Sequence, residues 1–214
     1  MNRRQISTLL LLALTVITLL VPLPLAAKEY AKADELTSPH IAVYNAQNGR
    51  LVFAKEAETR IAPGSAVKIM TGILAIEHFT GRMDTVVTVT AAALRGLEGS
   101  AVLGLKAGEK IPVRDLLYAL LVAGANDAAN VLAIEVAGSI LDFVSLMNAK
   151  AKELDAVDTL YLNATGLDSG AAYTTAADTA KIAAYASANA EFMKLCSARA
   201  YTVAATDKNK SVTV

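Results

Sequence analysis

The chain has 214 residues, 54% of them hydrophobic, and its 20 basic and 20 acidic side chains leave no formal net charge. That length buries one good core and not a second. With 5% aromatic residues and no basic stripe, nothing marks a nucleic-acid surface. A single cysteine excludes an intramolecular disulfide, and Cys196 reads as a small buried apolar residue. His40 and His78 stand alone, outside any His/Cys/Asp/Glu spacing, so neither a metal nor another cofactor is expected.

Asn2-Arg3-Arg4 precedes an uncharged run from Leu9 to Val21, followed by Pro22, Pro24 and Ala26-Ala27. Those 13 residues fall short of the ~20 needed to span a membrane, and the pattern predicts a signal peptide over residues 1–27, cleaved near Ala27. Its removal takes away Arg3 and Arg4 and no acid, leaving a net charge of −2. The mature part, residues 28–214, is expected to be exported across the cytoplasmic membrane, to the periplasm or the cell wall.

After a polar lead to His40, Ile41 to Phe53 predicts two short strands joined by a turn at Asn48-Gly49. Pro63-Gly64 ends an irregular approach, and Ile69, Met70, Ile73, Leu74 and Ile76 recur at helical spacing, predicting a helix from Ser65 to about Phe79. Thr85 to Thr90 alternates like a strand. Val113 to Val122 predicts an apolar helix that breaks at Gly124 and restarts near Asn126 or Asp127 toward Val136, both residues being good N-caps. Leu141 to Leu154 predicts a helix with Phe143, Val144, Leu146 and Met147 on its apolar side. Asn163 to Gly170 is turn-rich. Thr175 and Asp178 are spaced like a capping box opening a helix to about Ala190, which makes Asp178 structural. Tyr201 to Val203 starts toward a further strand.

Chemistry concentrates at Ser65-Ala66-Val67-Lys68, the one S-x-x-K in the chain. Positions i and i+3 share a helix face, so the amine can reach the hydroxyl. Serine needs a neighbouring base to become a nucleophile, and lysine can serve where its surroundings disfavour the ammonium. A helix start also presents free N–H groups to a developing oxyanion. Taken alone, the same residues more readily describe a capping serine followed by a solvated lysine.

The flanks favour the first reading. Gly99-Ser100-Ala101-Val102-Leu103-Gly104-Leu105-Lys106, Asp115-Leu116-Leu117-Tyr118, Ala125-Asn126-Asp127-Ala128-Ala129, Asn163-Ala164-Thr165-Gly166-Leu167 and Tyr173-Thr174-Thr175-Ala176-Ala177-Asp178 follow in order. From Ile41 to Val203 the chain resembles the serine D-alanyl-D-alanine carboxypeptidases, the low-molecular-mass penicillin-binding proteins of peptidase family S11. The resemblance implies an α/β (α+β) β-lactamase/transpeptidase-like fold, an antiparallel sheet flanked by helices with an all-helical part beside it. It implies Ser65 as nucleophile, Lys68 as general base, and Asn126 as the asparagine of an S-x-N element that bonds Lys68 and the substrate amide. Asp127 is left to capping. Gly124 stands where that element has its serine, a departure that removes a proton-relaying hydroxyl. Ser187-Ala188-Asn189 matches S-x-N by letter but lies inside a helical run beyond the family's position for that loop. The family's K-T-G does not occur, and Lys210-Ser211-Val212 lacks its glycine. The chain is therefore expected to be truncated before that element, without the later sheet strands, and inert as it stands.

The complete protein is expected to remove the terminal D-Ala from peptidoglycan stem peptides through an acyl-enzyme on Ser65, with β-lactams as covalent inhibitors. No nucleic-acid partner is expected, and membrane association would come through a C-terminal segment outside this chain. The alternative is a non-catalytic peptidoglycan- or penicillin-binding relative, suggested by Gly124. A serine β-lactamase fits less well, because class A enzymes carry S-D-N and a glutamate-activated water.

Overall fold

A computed structural model describes residues 35–167 and 170–214, and the fold is carried by residues 38–214. The signal peptide expected over residues 1–27 lies outside the described residues. Strand β1 (Ile41–Asn45) and strand β2 (Arg50–Lys55) form the expected hairpin. Gly49 supplies the left-handed turn residue (φ +67°), and its N–H donates to the Asn45 carbonyl at 2.9 Å. Ile41 faces Lys55, but the register slips after Val43, leaving Val52 as an extra residue before Tyr44 pairs with Leu51. Strand β3 (Val86–Thr88) pairs antiparallel with β4 (Lys110–Pro112), and β5 (Thr202–Val203) with β6 (Val212–Thr213). Among the described residues the sheet content is thus three separate two-stranded ladders.

Among the described residues six α-helices supply the core: α1 (Val67–His78), α2 (Val113–Leu121), α3 (Asn126–Ala137), α4 (Ile140–Glu153), α5 (Ala176–Ser187) and α6 (Ala190–Cys196). Helix α1 is central and packs on α2, α3, α4, α5 and α6. It can do so because Met70, Ile73, Ala75 and Ile76 bury more than one face, whereas a surface helix buries a single stripe. Gly72 lets α2 approach, since a Cβ there would stand 2.9 Å from Leu121 Cδ2. Ala128, Ala129 and Ala133 do the same for α3. Phe143, Met147 and Ala151, one helical turn apart, close the core from α4. The terminal strand is tied down by Tyr201, whose ring stacks on Tyr118 at 3.7 Å and whose hydroxyl donates to Asp115 at 2.7 Å.

Several expectations need correction. Leu146 is exposed, because the inward positions of α4 are already taken by Phe143, Val144 and Met147. The helix opening at Thr175 ends at Ser187, and Asn189 starts a new one by accepting from the N–H groups of Glu191 and Phe192. Ser187-Ala188-Asn189 is therefore a helix junction. Cys196 is exposed, since Phe192 and Leu195 fill the buried face of α6. Thr175 caps α5 through the Asp178 N–H, but the Asp178 carboxylate turns away to accept from Asp158 N and Thr159 Oγ1, stapling that loop to the helix. Asp127 stands in the first turn of α3 and not at its N-cap, and its role is wider than capping. Its buried carboxylate accepts the Ala128 N–H of that turn at 2.9 Å and also the N–H groups of Leu103, Gly104 and Leu105 at 2.9–3.0 Å, holding that loop against α3.

Candidate active site

Pro63 and Gly64 (φ +49°) bend the chain into a single 3-10 turn, Gly64–Ala66, that leads directly into α1. Ser65 lies in this turn, just ahead of the α-helix and not in its first turn, and is exposed. Lys68, one turn on, is 7% exposed. Its Nζ stands 3.4 Å from Ser65 Oγ and donates to the Thr165 carbonyl at 2.6 Å. Burial pushes the ammonium below the usual lysine range. An exposed hydroxyl next to a buried amine whose charged form is disfavoured by burial is the arrangement a serine nucleophile needs.

A second segment forms the floor of this pair. Along α1, Lys68 Nζ and Thr71 Oγ1 donate in turn to the carbonyls of Thr165 and Ala164, at 2.6 and 2.7 Å. Asn163 shapes the segment. Its Oδ1 accepts from Thr165 N (3.1 Å), Thr165 Oγ1 (3.0 Å) and Gly166 N (2.7 Å), while its Nδ2 donates to the Leu167 carbonyl. Gly166 (φ +80°) touches the nucleophile turn so closely that a Cβ there would overlap the Gly64 carbonyl and stand 3.2 Å from Ser65 N. A cavity of about 170 Å³ lies behind the turn, lined by Pro63, Gly64, Val67, Asn163 and Gly166. A larger one, about 510 Å³, lies between the Leu103–Glu109 loop and the terminal hairpin and includes neither Ser65 nor Lys68.

Asn126 begins α3, which packs on α1, and is 4% exposed with its N–H on the Ala101 carbonyl at 2.8 Å. Its Oδ1 is the one buried side-chain oxygen or nitrogen without a partner among the described residues. The Lys68 bond implied by the resemblance is not made, for Lys68 bonds Ser65 and Thr165 instead. Gly124 holds φ +69°, and a Cβ there would meet no atom within 4 Å. Among the described residues no group of three His, Cys, Asp or Glu side chains could hold a metal. The Thr165 carbonyl and Gly166 escaped the sequence reading. The Asn-x-Thr-Gly turn marks their neighbourhood, but a backbone acceptor has no signature of its own.

A family model of D-alanyl-D-alanine carboxypeptidases, peptidase S11, matches residues 27–213. The chain belongs to this family. It is 30% identical over 184 residues to the D-alanyl-D-alanine carboxypeptidase DacF of Bacillus subtilis, covering 85% of this chain and 47% of that one. Against the D-alanyl-D-alanine carboxypeptidase of Streptomyces sp. K15 it is 30% identical over 213 residues, 94% of this chain and 73% of the relative. The crystal structure of DacD from Francisella tularensis superposes with a TM-score of 0.75 at 33% identity, over 88% of this chain and 46% of that one. Escherichia coli DacC is covered to 42%, so the chain spans about half the length of several curated relatives. The β-lactamase-like, mixed α/β fold implied by the resemblance agrees with these neighbours.

Proposed function

We propose that this chain carries the nucleophile half of a serine-type D-Ala-D-Ala carboxypeptidase acting on peptidoglycan stem peptides. The observation that carries the reading is the contact between exposed Ser65 Oγ and the buried Lys68 amine, 3.4 Å apart. The neutral amine takes the hydroxyl proton as Oγ attacks the carbonyl carbon of the penultimate D-Ala. The C–N bond then breaks, the proton passes to the amine of the departing D-Ala, and water later cleaves the ester at Ser65. Asn126 serves the substrate amide with its unpartnered Oδ1, which suits an N–H donor. β-Lactams acylate the same serine because their amide resembles the substrate's. The leader pattern over residues 1–27 supports action outside the cytoplasmic membrane, in the periplasm or the cell wall.

A second reading, a relative that binds the wall or penicillin without turnover, rests on Gly124, where no hydroxyl is available to relay the proton. Incubation of the complete protein with a fluorescent penicillin, with the adduct mapped by mass spectrometry, tests the first reading. A label on Ser65 together with D-Ala release from an acyl-D-Ala-D-Ala peptide is expected. A label without release favours the second reading, and a label on another serine overturns the assignment.

A further inference from the structure

Lys68 must do more than sit near Ser65. A neutral amine has one lone pair and two hydrogens, and acts as a base only when the lone pair faces the hydroxyl. The Thr165 carbonyl, 2.6 Å from Nζ, takes one hydrogen and so fixes the rotation of the amine. That carbonyl belongs to a turn with no regular ladder of its own, and its direction is set by the Asn163 side chain. One oxygen of Asn163 gathers Thr165 N, Thr165 Oγ1 and Gly166 N, while its amide nitrogen holds the Leu167 carbonyl. Four bonds from one side chain leave the Thr165 peptide plane little freedom.

The same turn also sets the height of the nucleophile. Gly166 packs against the backbone of Gly64 and Ser65 with no room for a methyl group. A shift of the turn would therefore move base and nucleophile together.

We infer that Asn163 is a positioning residue for the acylation step: by shaping the 163–167 turn it holds the Thr165 carbonyl on Lys68 and the Gly166 backbone under Ser65. The inference rests on reading Lys68 as the base of Ser65. Among the described residues no charged side chain pairs with Lys68. On the helices around α1, Asp127 is committed to the 103–105 amides, Asp178 to residues 158–159, Lys150 to Glu77 and Glu153, Arg114 to Asp84, and Glu191 to Lys194. A charge introduced at position 163 would thus be the nearest new influence on the amine.

Two variants test the role in the full chain. Asn163→Ala removes the acceptor for three donors. It is expected to lower the acylation rate constant at saturating penicillin by about 10²-fold, the effect of a small misplacement, while leaving noncovalent affinity unchanged. Asn163→Asp keeps an oxygen for those donors and is expected to recover most of the rate when acylation is followed at pH values above the Lys68 titration, where the amine is neutral in every variant. Its carboxylate should also favour the ammonium, raising the titration of the Lys68 ε-carbon followed by NMR. Parent-rate acylation in Asn163→Ala overturns the inference, and so does an Asn163→Asp variant as slow as Asn163→Ala. If the parent is not labelled at all, the catalytic reading fails and the Lys68 titration decides alone: raised in Asn163→Asp, it upholds the placement of the turn on the amine, and unchanged, it overturns it.

Discussion

Burying the Lys68 amine costs the fold stability at neutral pH, and the sign of that cost is measurable. Burial holds the folded-state pKa of Lys68 below the ordinary ~10.4. Between the folded and unfolded values the unfolded chain binds more protons, so stability contributed by this group rises with pH through that window and is lowest below it. Lys68→Met should therefore melt no lower than the parent at about pH 7 and lack the parent's extra gain toward about pH 10. It should also lose penicillin acylation by about 10²–10⁴-fold, the usual share of a general base. Thermal melts at the two pH values and a labelling time course check both. Gly124 poses the complementary question. A serine side chain there finds open space, but φ +69° is left-handed backbone and should cost about 1–2 kcal/mol. Gly124→Ser is expected to lower the melting temperature while raising D-Ala release by up to about 10²-fold through the restored relay. Unchanged release in a folded variant would mean that the relay does not limit turnover.

Among the elements, the 163–167 turn and the 3-10 turn at Ser65 behave as one unit because their backbones touch. Gly166→Ala must push the nucleophile turn aside, whereas Gly138→Ala, at a similar φ of +83° but with nothing within 4 Å, bears only the conformational cost. The first should lose acylation by about 10²-fold or more. The second should keep it while losing about 1–2 kcal/mol of stability, as chemical denaturation would show. Elements that follow from periodicity and turn residues were legible in the sequence: the Asn48-Gly49 hairpin, α1, α2 and the Thr175 cap appear where apolar spacing and small polar residues place them. Asp127 and Asp178 were read too narrowly, because a carboxylate at a helix start satisfies capping rules by position alone. Its actual partners, the 103–105 and 158–159 loops, are brought to it only by tertiary packing. Cys196 and Leu146 erred similarly, since apolarity does not say which of several apolar neighbours wins the inward position.

For the molecule as a whole, a single cluster of buried residues runs from α1 through α2, α3 and α4 to Phe192, Leu195 and Val203. Phe143, fully buried in it, should cost about 3–5 kcal/mol when truncated to alanine. Because the core is shared, far-ultraviolet dichroism and near-ultraviolet signals should lose stability together; separate transitions would reveal independent subunits of folding. Ser65, Lys68 and Asn126 could be singled out in the sequence because the proposed chemistry needs particular side chains, and the structure sets Lys68 Nζ 3.4 Å from Ser65 Oγ. The floor beneath it was not, because its working groups are a carbonyl and an absent Cβ.

The Tyr118–Tyr201 stack gives this protein an optical label of its own. The chain has seven tyrosines and no tryptophan, so its intrinsic ultraviolet signal is entirely phenolic. Burial, then the bond to Asp115, pushes the Tyr201 hydroxyl up to about 12. Loss of that burial and of the Asp115 bond would let the ring ionise at ordinary alkaline pH. A spectrophotometric titration of the parent against Tyr201→Phe separates this ring from Tyr161 and Tyr185, whose hydroxyls are also pushed up, and so reports whether it stays stacked on Tyr118, with no added dye.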